Sequence, residues 1–307
     1  MSEWYDELTA DVKETVLEKL SKIQKDEDLI GILEEYHPKG YLNIKPIQTL
    51  EEYFKYIRLA TTDRTWFRGE SCEHKLLIPK LYRNKSEQEL SSILKKEHDF
   101  MMEFIRRSKS IEPNININDY WSWYFLAQHY GGPTRLLDWT TDAATALFMA
   151  INNNKDVSVN PIVYTLQPTV LSVYALNELD KIEYLEGRVL YPGENKTDLW
   201  ISNIASTQND IPQSPIPLLP AYTDPRIISQ RSCFTLFGSR LNGFYKDDKE
   251  IVCTCCERRI RYKLIIDGTK KQSLRKELLK IGISNSRVYP GLEGITQDLN
   301  EEIFGIK

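Results

Sequence analysis

The residues of this chain that could do chemistry gather in one stretch, "AQHYGGPTRLLDWTTDAATALFMA" at 127–150. Gln128 and His129 precede a Gly131-Gly132-Pro133 turn, and Thr134, Arg135, Asp138, Thr140, Thr141 and Asp142 follow before the chain turns apolar. Amides and hydroxyls would hold a polar ligand, a guanidinium would hold an anion, and a carboxylate would offset developing positive charge or take a proton. The alternative is internal: Arg135 pairs with Asp138, and the hydroxyls merely cap a helix. The residues leave the two readings even.

A second candidate is Arg68 in "WFRGES". A strand ending in Arg-Gly puts a guanidinium at the sheet rim, and Gly69 would leave backbone that a ligand can approach closely. The planar fork of Arg suits phosphate or carboxylate. It serves equally in an ordinary salt bridge, which these residues alone favour. A third cluster is "CTCCE", with Cys253, Cys255 and Cys256. Structural zinc takes four ligands, usually in two pairs. Because His37, His74, His98 and His129 are scattered, buried thiols beside a strand are expected and no metal. There is no GxGxxG, no GxxxxGK[ST] and no GxSxG.

Several elements must hold these residues. Leu8, Val12, Val16, Leu20 and Ile23 form one apolar helical stripe, and "HPKGYLNIKP" at 37–46 reads as a linker, so residues 1–44 are expected as an N-terminal helical extension and 45–307 as the main domain. Thr49 with Glu52 and Ser86 with Glu89 have the spacing of capping boxes, each opening a helix. "DYWSWYFLAQHY" reads as a buried aromatic helix, and Asp142 as the cap of a helix over Ala143, Ala146, Leu147 and Ala150. "PIVYTL", "RIISQRSCFTLFG" and "RIRYKLIID" alternate and carry β-branched and aromatic residues, so they read as strands. The five prolines of 211–225 argue for an extended loop, and two last helices are expected near 270–281 and 293–303. The fold class is therefore α+β: a mixed fold with helices early and an antiparallel-leaning sheet late.

Composition bounds the rest. The chain has 307 residues, 41% of them hydrophobic, and 40 basic against 44 acidic residues give a net charge of −4. That excludes wholesale disorder and gives no global bias towards nucleic acid. The N-terminus is polar with no apolar leader segment, no apolar run approaches the roughly 20 residues of a membrane span, and five cysteines make no disulfide framework. A cytoplasmic protein with no membrane partner is expected.

Five blocks resemble the FRG domain family, named for its Phe-Arg-Gly triplet. They are "FRGE" at 67–70, "LIPKLYR" at 77–83, "QHYGGPTRLLDWT" at 128–140, "RIISQRSCF" at 226–234 and "RVYPGLEGI" at 287–295. A further resemblance is to arginine-class ADP-ribosyltransferases, whose NAD site opens on a strand ending Tyr/Phe-Arg-Gly and continues through hydroxyl residues into an Ala-rich helix. "WFRG" and "LLDWTTDAATALF" are similar to those two elements.

This likeness implies a split sheet flanked by helices and NAD as substrate. It also implies transfer of ADP-ribose to a macromolecule (RNA, DNA or protein) by a toxin or anti-phage effector, with an antitoxin protein as a possible partner. Arg68 would hold the NAD phosphates or ribose and Thr140 would order the nicotinamide pocket, with Gly69, Gln128, His129, Thr134, Arg135 and Thr141 also binding. Arg226 stands where the family's catalytic Glu is expected, with Gln230 its nearest polar neighbour. Asp138 is the preferred substitute carboxylate, ahead of Glu70, Asp142 and Asp224. The competing readings are a binding module for a nucleotide or partner, which needs no carboxylate, and a hydrolase that only consumes NAD.

Overall fold

A computed structural model describes residues 40–305, apart from 44, 61–63, 75, 153–155, 178–188, 193–212, 223, 247–248 and 253–258. The Leu8–Ile23 stripe and Cys253, Cys255 and Cys256 lie outside the described residues.

In chain order the described strands are β1 (Trp66–Glu70), β2 (Leu136–Thr140), β3 (Ile162–Leu166), β4 (Ile216–Leu218), β5 (Ser232–Leu236), a small ribbon of β6 (Tyr245–Lys246) and β7 (Lys249–Glu250), and β8 (Arg261–Ile265). Six of them form one antiparallel sheet in the spatial order β4-β5-β2-β1-β3-β8. The helices are α1 (Leu50–Ala60), α2 (Leu90–Ser108), α3 (Tyr120–His129), α4 (Ala143–Asn152), α5 (Pro168–Asn177), α6 (Pro225–Ser229), α7 (Lys271–Lys280), α8 (Asn285–Val288) and α9 (Leu292–Leu299). The molecule is a mixed α/β fold, and no helix among the described residues is long and apolar enough to cross a membrane.

Every residue of β3 is buried, as the unbroken run Ile-Val-Tyr-Thr-Leu requires of a strand covered on both faces. In β2 all residues but Asp138 are buried, so the strand carries a single polar side chain out to solvent. Asp142 caps α4: its Oδ1 accepts from the amides of Ala144 and Thr145 at 2.9 and 3.2 Å. That helix lies directly on β1. A Cβ placed on Gly69 would stand 1.9 Å from the carbonyl oxygen of Ala146 and 2.7 Å from the amide nitrogen of Ala150. The glycine after Arg68 therefore serves helix-on-strand contact, a use that the sequence did not show.

Two further readings change. The 37–46 stretch is no linker from residue 40 onward. Tyr41, Leu42 and Asn43 are buried, Tyr41 and Ile47 bridge to Lys263 and Ile266 alongside β8, and the Asn43 amide donates to the Ile265 carbonyl at 2.8 Å. "RIISQRSCFTLF" is not one strand. Asp224 accepts from the Arg226 amide at 2.7 Å and Pro225 occupies the first turn, so the chain begins as α6 and leaves it through Arg231 at φ 46 before β5 starts. Arg226 consequently sits on a helix rather than at a strand start. The proline-rich stretch 211–225 holds β4, an edge strand, and Pro217 within it suits an edge because proline lacks the N–H a central strand must donate. At the C-terminus, α7 and α9 fall where two helices were expected, with the short α8 between them.

Candidate active site

The sheet opens at its middle. Between β1 and β2 the described ladder has one pair, Phe67 with Thr140, whereas β1 pairs with β3 from Trp66 through to Glu70. Beyond that pair β1 and β2 diverge, and the gap holds side chains in place of main-chain bonds. Arg68 spans it. Its Nη1 donates to the main-chain oxygen of Asp138 at 2.7 Å and lies 3.8 Å from the Asp138 carboxylate. Its Nε and Nη2 sit 2.7 and 2.6 Å from Glu70 Oε1. One guanidinium thus holds two carboxylates from facing strands.

The Asp138 carboxylate is set from its other side by α3. Gln128 Nε2 donates to Asp138 Oδ2 at 2.9 Å, while the Thr134 hydroxyl donates to Gln128 Oε1. Thr134 also accepts from the Leu136 amide at 3.2 Å, so the relay is fixed to the start of β2. On Glu70, His74 Nε2 approaches Oε2 at 3.4 Å. His129 Nδ1 lies 3.3 Å from Asp224 Oδ1, which ties the end of α3 to the cap of α6. The Arg226 guanidinium rests over the Tyr289 ring at 5.2 Å, and burial is the main force raising the Tyr289 hydroxyl's pKa.

These groups surround a cleft of about 420 Å³. Its basic side chains are Arg68, Lys80, Arg83 and Arg226, and its acidic ones are Glu70 and Asp138. The balance of these side chains favours an anionic ligand, although the centre of the cleft is an acid–base pair. Cys233 in β5 is no thiolate nucleophile here, because burial, and then the charge of Asp138, push its thiol up.

Of the residues expected at a site, Arg68, Gly69, Gln128, His129, Asp138 and Gln230 line this cleft, and Thr134, Arg135, Thr140 and Thr141 do not. Gln230 is largely buried and its amide donates to the Val288 carbonyl at 3.0 Å, so it supports the wall. The Thr140 hydroxyl is used inside the fold, donating to the Gln230 carbonyl at 2.5 Å and accepting from the Asp142 amide at 2.9 Å. Thr141 is exposed outside the cleft.

Arg135 departs furthest from expectation. Its side chain is wholly buried, its Nε donates to Glu97 Oε2 at 2.8 Å, and Tyr124 donates to the other oxygen of Glu97. Burial alone would weaken the guanidinium's hold on its proton, but Glu97, Tyr124 and Tyr82 outweigh that and fix it as a cation. It is a core ion pair between α2 and β2, and its carbonyl accepts from the Phe237 amide at 3.0 Å.

The cleft also recruits Lys80, Arg83, Ser232 and Tyr289, which motif reading did not single out, and Arg226, read there only as standing in place of a glutamate. Lys80 and Arg83 come from "LIPKLYR", Arg226 and Ser232 from "RIISQRSCF", and Tyr289 from "RVYPGLEGI". With "FRGE" and "QHYGGPTRLLDWT", the five blocks supply the whole lining except Phe125 and Met149. Stretches spread from residue 67 to residue 295 therefore meet at one place, as a ligand site requires and separate structural motifs do not.

Residues 63–158 match the FRG domain family. No curated protein and no solved structure matches the chain. The FRG match takes in β1, Lys80, Arg83, α3, β2 and α4, hence Arg68, Glu70, Gln128 and Asp138. It stops before β3, while α6, β5 and Tyr289 close the far wall of the cleft. The FRG segment thus carries the paired carboxylates, and the sequence beyond it finishes the enclosure.

Proposed function

We propose that the cleft binds NAD and that the chain transfers ADP-ribose from it to a macromolecular acceptor. The observation that carries the reading is the opening between β1 and β2, whose two edges present Glu70 and Asp138 on a single guanidinium, Arg68. Cleavage of the nicotinamide–ribose bond sends the bonding pair to nicotinamide and leaves positive charge on the ribose, through an oxocarbenium-like state. A carboxylate fixed beside that ribose lowers the barrier electrostatically, and a second one accepts the proton that the attacking acceptor loses. Asp138 is assigned the first role because its Gln128–Thr134 relay holds it while it stays open to solvent. Glu70 takes the second. Arg226 over Tyr289 suits the pyrophosphate.

This assignment moves Arg68 from phosphate ligand to the group that positions both acids. The test is incubation of the purified protein with NAD labelled in its adenylate half and a cell lysate. Label should enter a macromolecular fraction while free nicotinamide appears.

One observation favours a second reading, a non-catalytic binding module. Arg68, Glu70, Asp138 and Gln128 already satisfy one another, as a structural latch would. A module would bind nucleotide in the same assay and release no nicotinamide.

A further inference from the structure

Lys80, Arg83 and Arg226 line the cleft, and two exposed aromatic rings adjoin its lining residues in sequence. Tyr130 is 69% exposed and Tyr222 68%, although rings of this size normally bury much of their area. Tyr130 stands beside His129, ring centroids 4.8 Å apart. Tyr222 lies two residues before Asp224, the partner of that same His129, so each tyrosine is close in sequence to one side of that contact. Lys80 is fixed next to Tyr130, its Nζ donating to the Gly131 carbonyl at 2.6 Å. Arg83 is exposed, and Arg226 covers one face of Tyr289 with its guanidinium plane. Among rim acids, Asp224 is already engaged by His129 and by the Arg226 amide. This cationic mouth sits on a chain whose net charge is −4, so it is not a by-product of a basic composition.

We infer that the mouth takes single-stranded nucleic acid, with phosphates on Lys80 and Arg83 and bases stacked on Tyr130 and Tyr222. Cations alone would serve any polyanion. Exposed rings beside them select a strand whose bases are free to stack, which a duplex keeps internally paired. The strand would lie over the Glu70–Asp138 opening, as a nucleophile attacking the ribose must. Its role as acceptor rests on the NAD reading; its binding does not.

The test is fluorescence anisotropy of a labelled mixed-sequence 12-mer, as single-stranded RNA, single-stranded DNA and duplex DNA, with the full chain and no NAD, from 50 to 200 mM salt. Single strands are expected to bind more tightly than duplex, and affinity to fall as salt rises. Arg83→Gln should reduce the slope of log affinity against log salt by about 0.7, one phosphate contact on a single strand. Tyr130→Ala with Tyr222→Ala should weaken binding about 10-fold or more and leave that slope unchanged.

Equal binding of duplex, no binding at 50 mM salt, or variants indistinguishable from the parent would overturn the inference. Transfer of labelled ADP-ribose to the protein fraction of a lysate and not to nucleic acid would overturn the strand's role as acceptor. Nicotinamide release measured separately keeps the two readings apart: release without strand binding overturns this one alone, and strand binding without release supports it while removing the transferase.

Discussion

Arg68 Nη1 reaches the main-chain oxygen of Asp138 at 2.7 Å, just past the point where β1 and β2 stop pairing. The bond goes to backbone, so it fixes the position of Asp138 whatever side chain stands there. It replaces one rung of the ladder that the opening removes. Through Nε and Nη2 the same guanidinium holds Glu70, which couples the width of the opening to both carboxylates.

Arg68→Ala should therefore lose activity and also some stability. Charge-assisted bonds of this kind are worth about 1.5–3 kcal/mol each to groups left unpaired, and the partly exposed setting puts the loss at the lower end. Urea denaturation should show a drop of about 1–2 kcal/mol, with nicotinamide release falling about 100-fold or more. Arg68→Lys, a point charge without the fork, should recover stability better than rate.

Arg135→Ala should cost more than Arg68→Ala, because it strands the Glu97 carboxylate in the core. Breaking a buried pair from one side typically costs about 3–5 kcal/mol. Replacing both partners, Arg135→Met with Glu97→Leu, should restore much of that in the same urea titration. A double variant no more stable than Arg135→Ala would contradict the assignment of Arg135 as a purely structural ion pair.

Gly69→Ala is predicted to be poorly tolerated although it adds a single methyl. The methyl would meet the Ala146 carbonyl, a backbone atom of α4 that can yield only if the helix lifts from β1. Overpacking of this type costs about 1–3 kcal/mol or more. A melting temperature matching the parent would show that α4 is not seated as described.

How much of this was legible in the sequence depended on how local the cause was. The Asp142 cap, the strand at β3 and the aromatic α3 follow from residues within one turn or strand of each other and could be read directly, although β3 is buried throughout where alternation was expected. Gln128 stood out beside the Gly-Gly-Pro turn at a helix end, and Asp138 between buried-looking neighbours in the segment that holds Thr140. Arg135 was read with Asp138 because the two are three residues apart. Its true partner, Glu97, lies 38 residues earlier on α2, and nothing in the helical period marks a glutamate as buried. The α6 turn was written in Asp224-Pro225, but the Ile227-Ile228 pair that follows carries β-branched strand character and masked it. The rim cations could not be grouped by motif because Lys80 and Arg83 come from one block and Arg226 from another about 140 residues on, and only the tertiary fold brings the blocks together.

The C-terminal helices offer a test of pH dependence. Asp298 accepts from the amides of Asn285 and Ser286 at 2.8 and 2.9 Å, capping α8 from α9. Burial pushes its carboxyl up, but the bonds from Ser286, Asn285 and Ser284 outweigh that and hold it below the usual range. A carboxylate depressed in the folded state stabilises it above the ordinary pKa of about 4, and that contribution fades as pH falls through the lower folded value. Asp298→Asn should therefore be less stable than the parent at pH 7, with the gap closing as acid is added. A gap that stays constant down to pH 2 would show that the charge of Asp298 plays no part.

The central claim is that Asp138 supplies the charge that assists glycosidic cleavage. Asp138→Asn tests it most directly, since the side chain keeps its size, its carbonyl still accepts from Gln128, and the main-chain bond to Arg68 is untouched. The decisive measurement is nicotinamide release and ADP-ribose transfer by the parent and the Asn protein at saturating NAD, alongside NAD binding by calorimetry. The predicted result is near-equal NAD binding with the rate lowered about 100-fold or more. Full activity in Asp138→Asn, or no turnover of NAD by the parent with protein, RNA and DNA acceptors present, would contradict it.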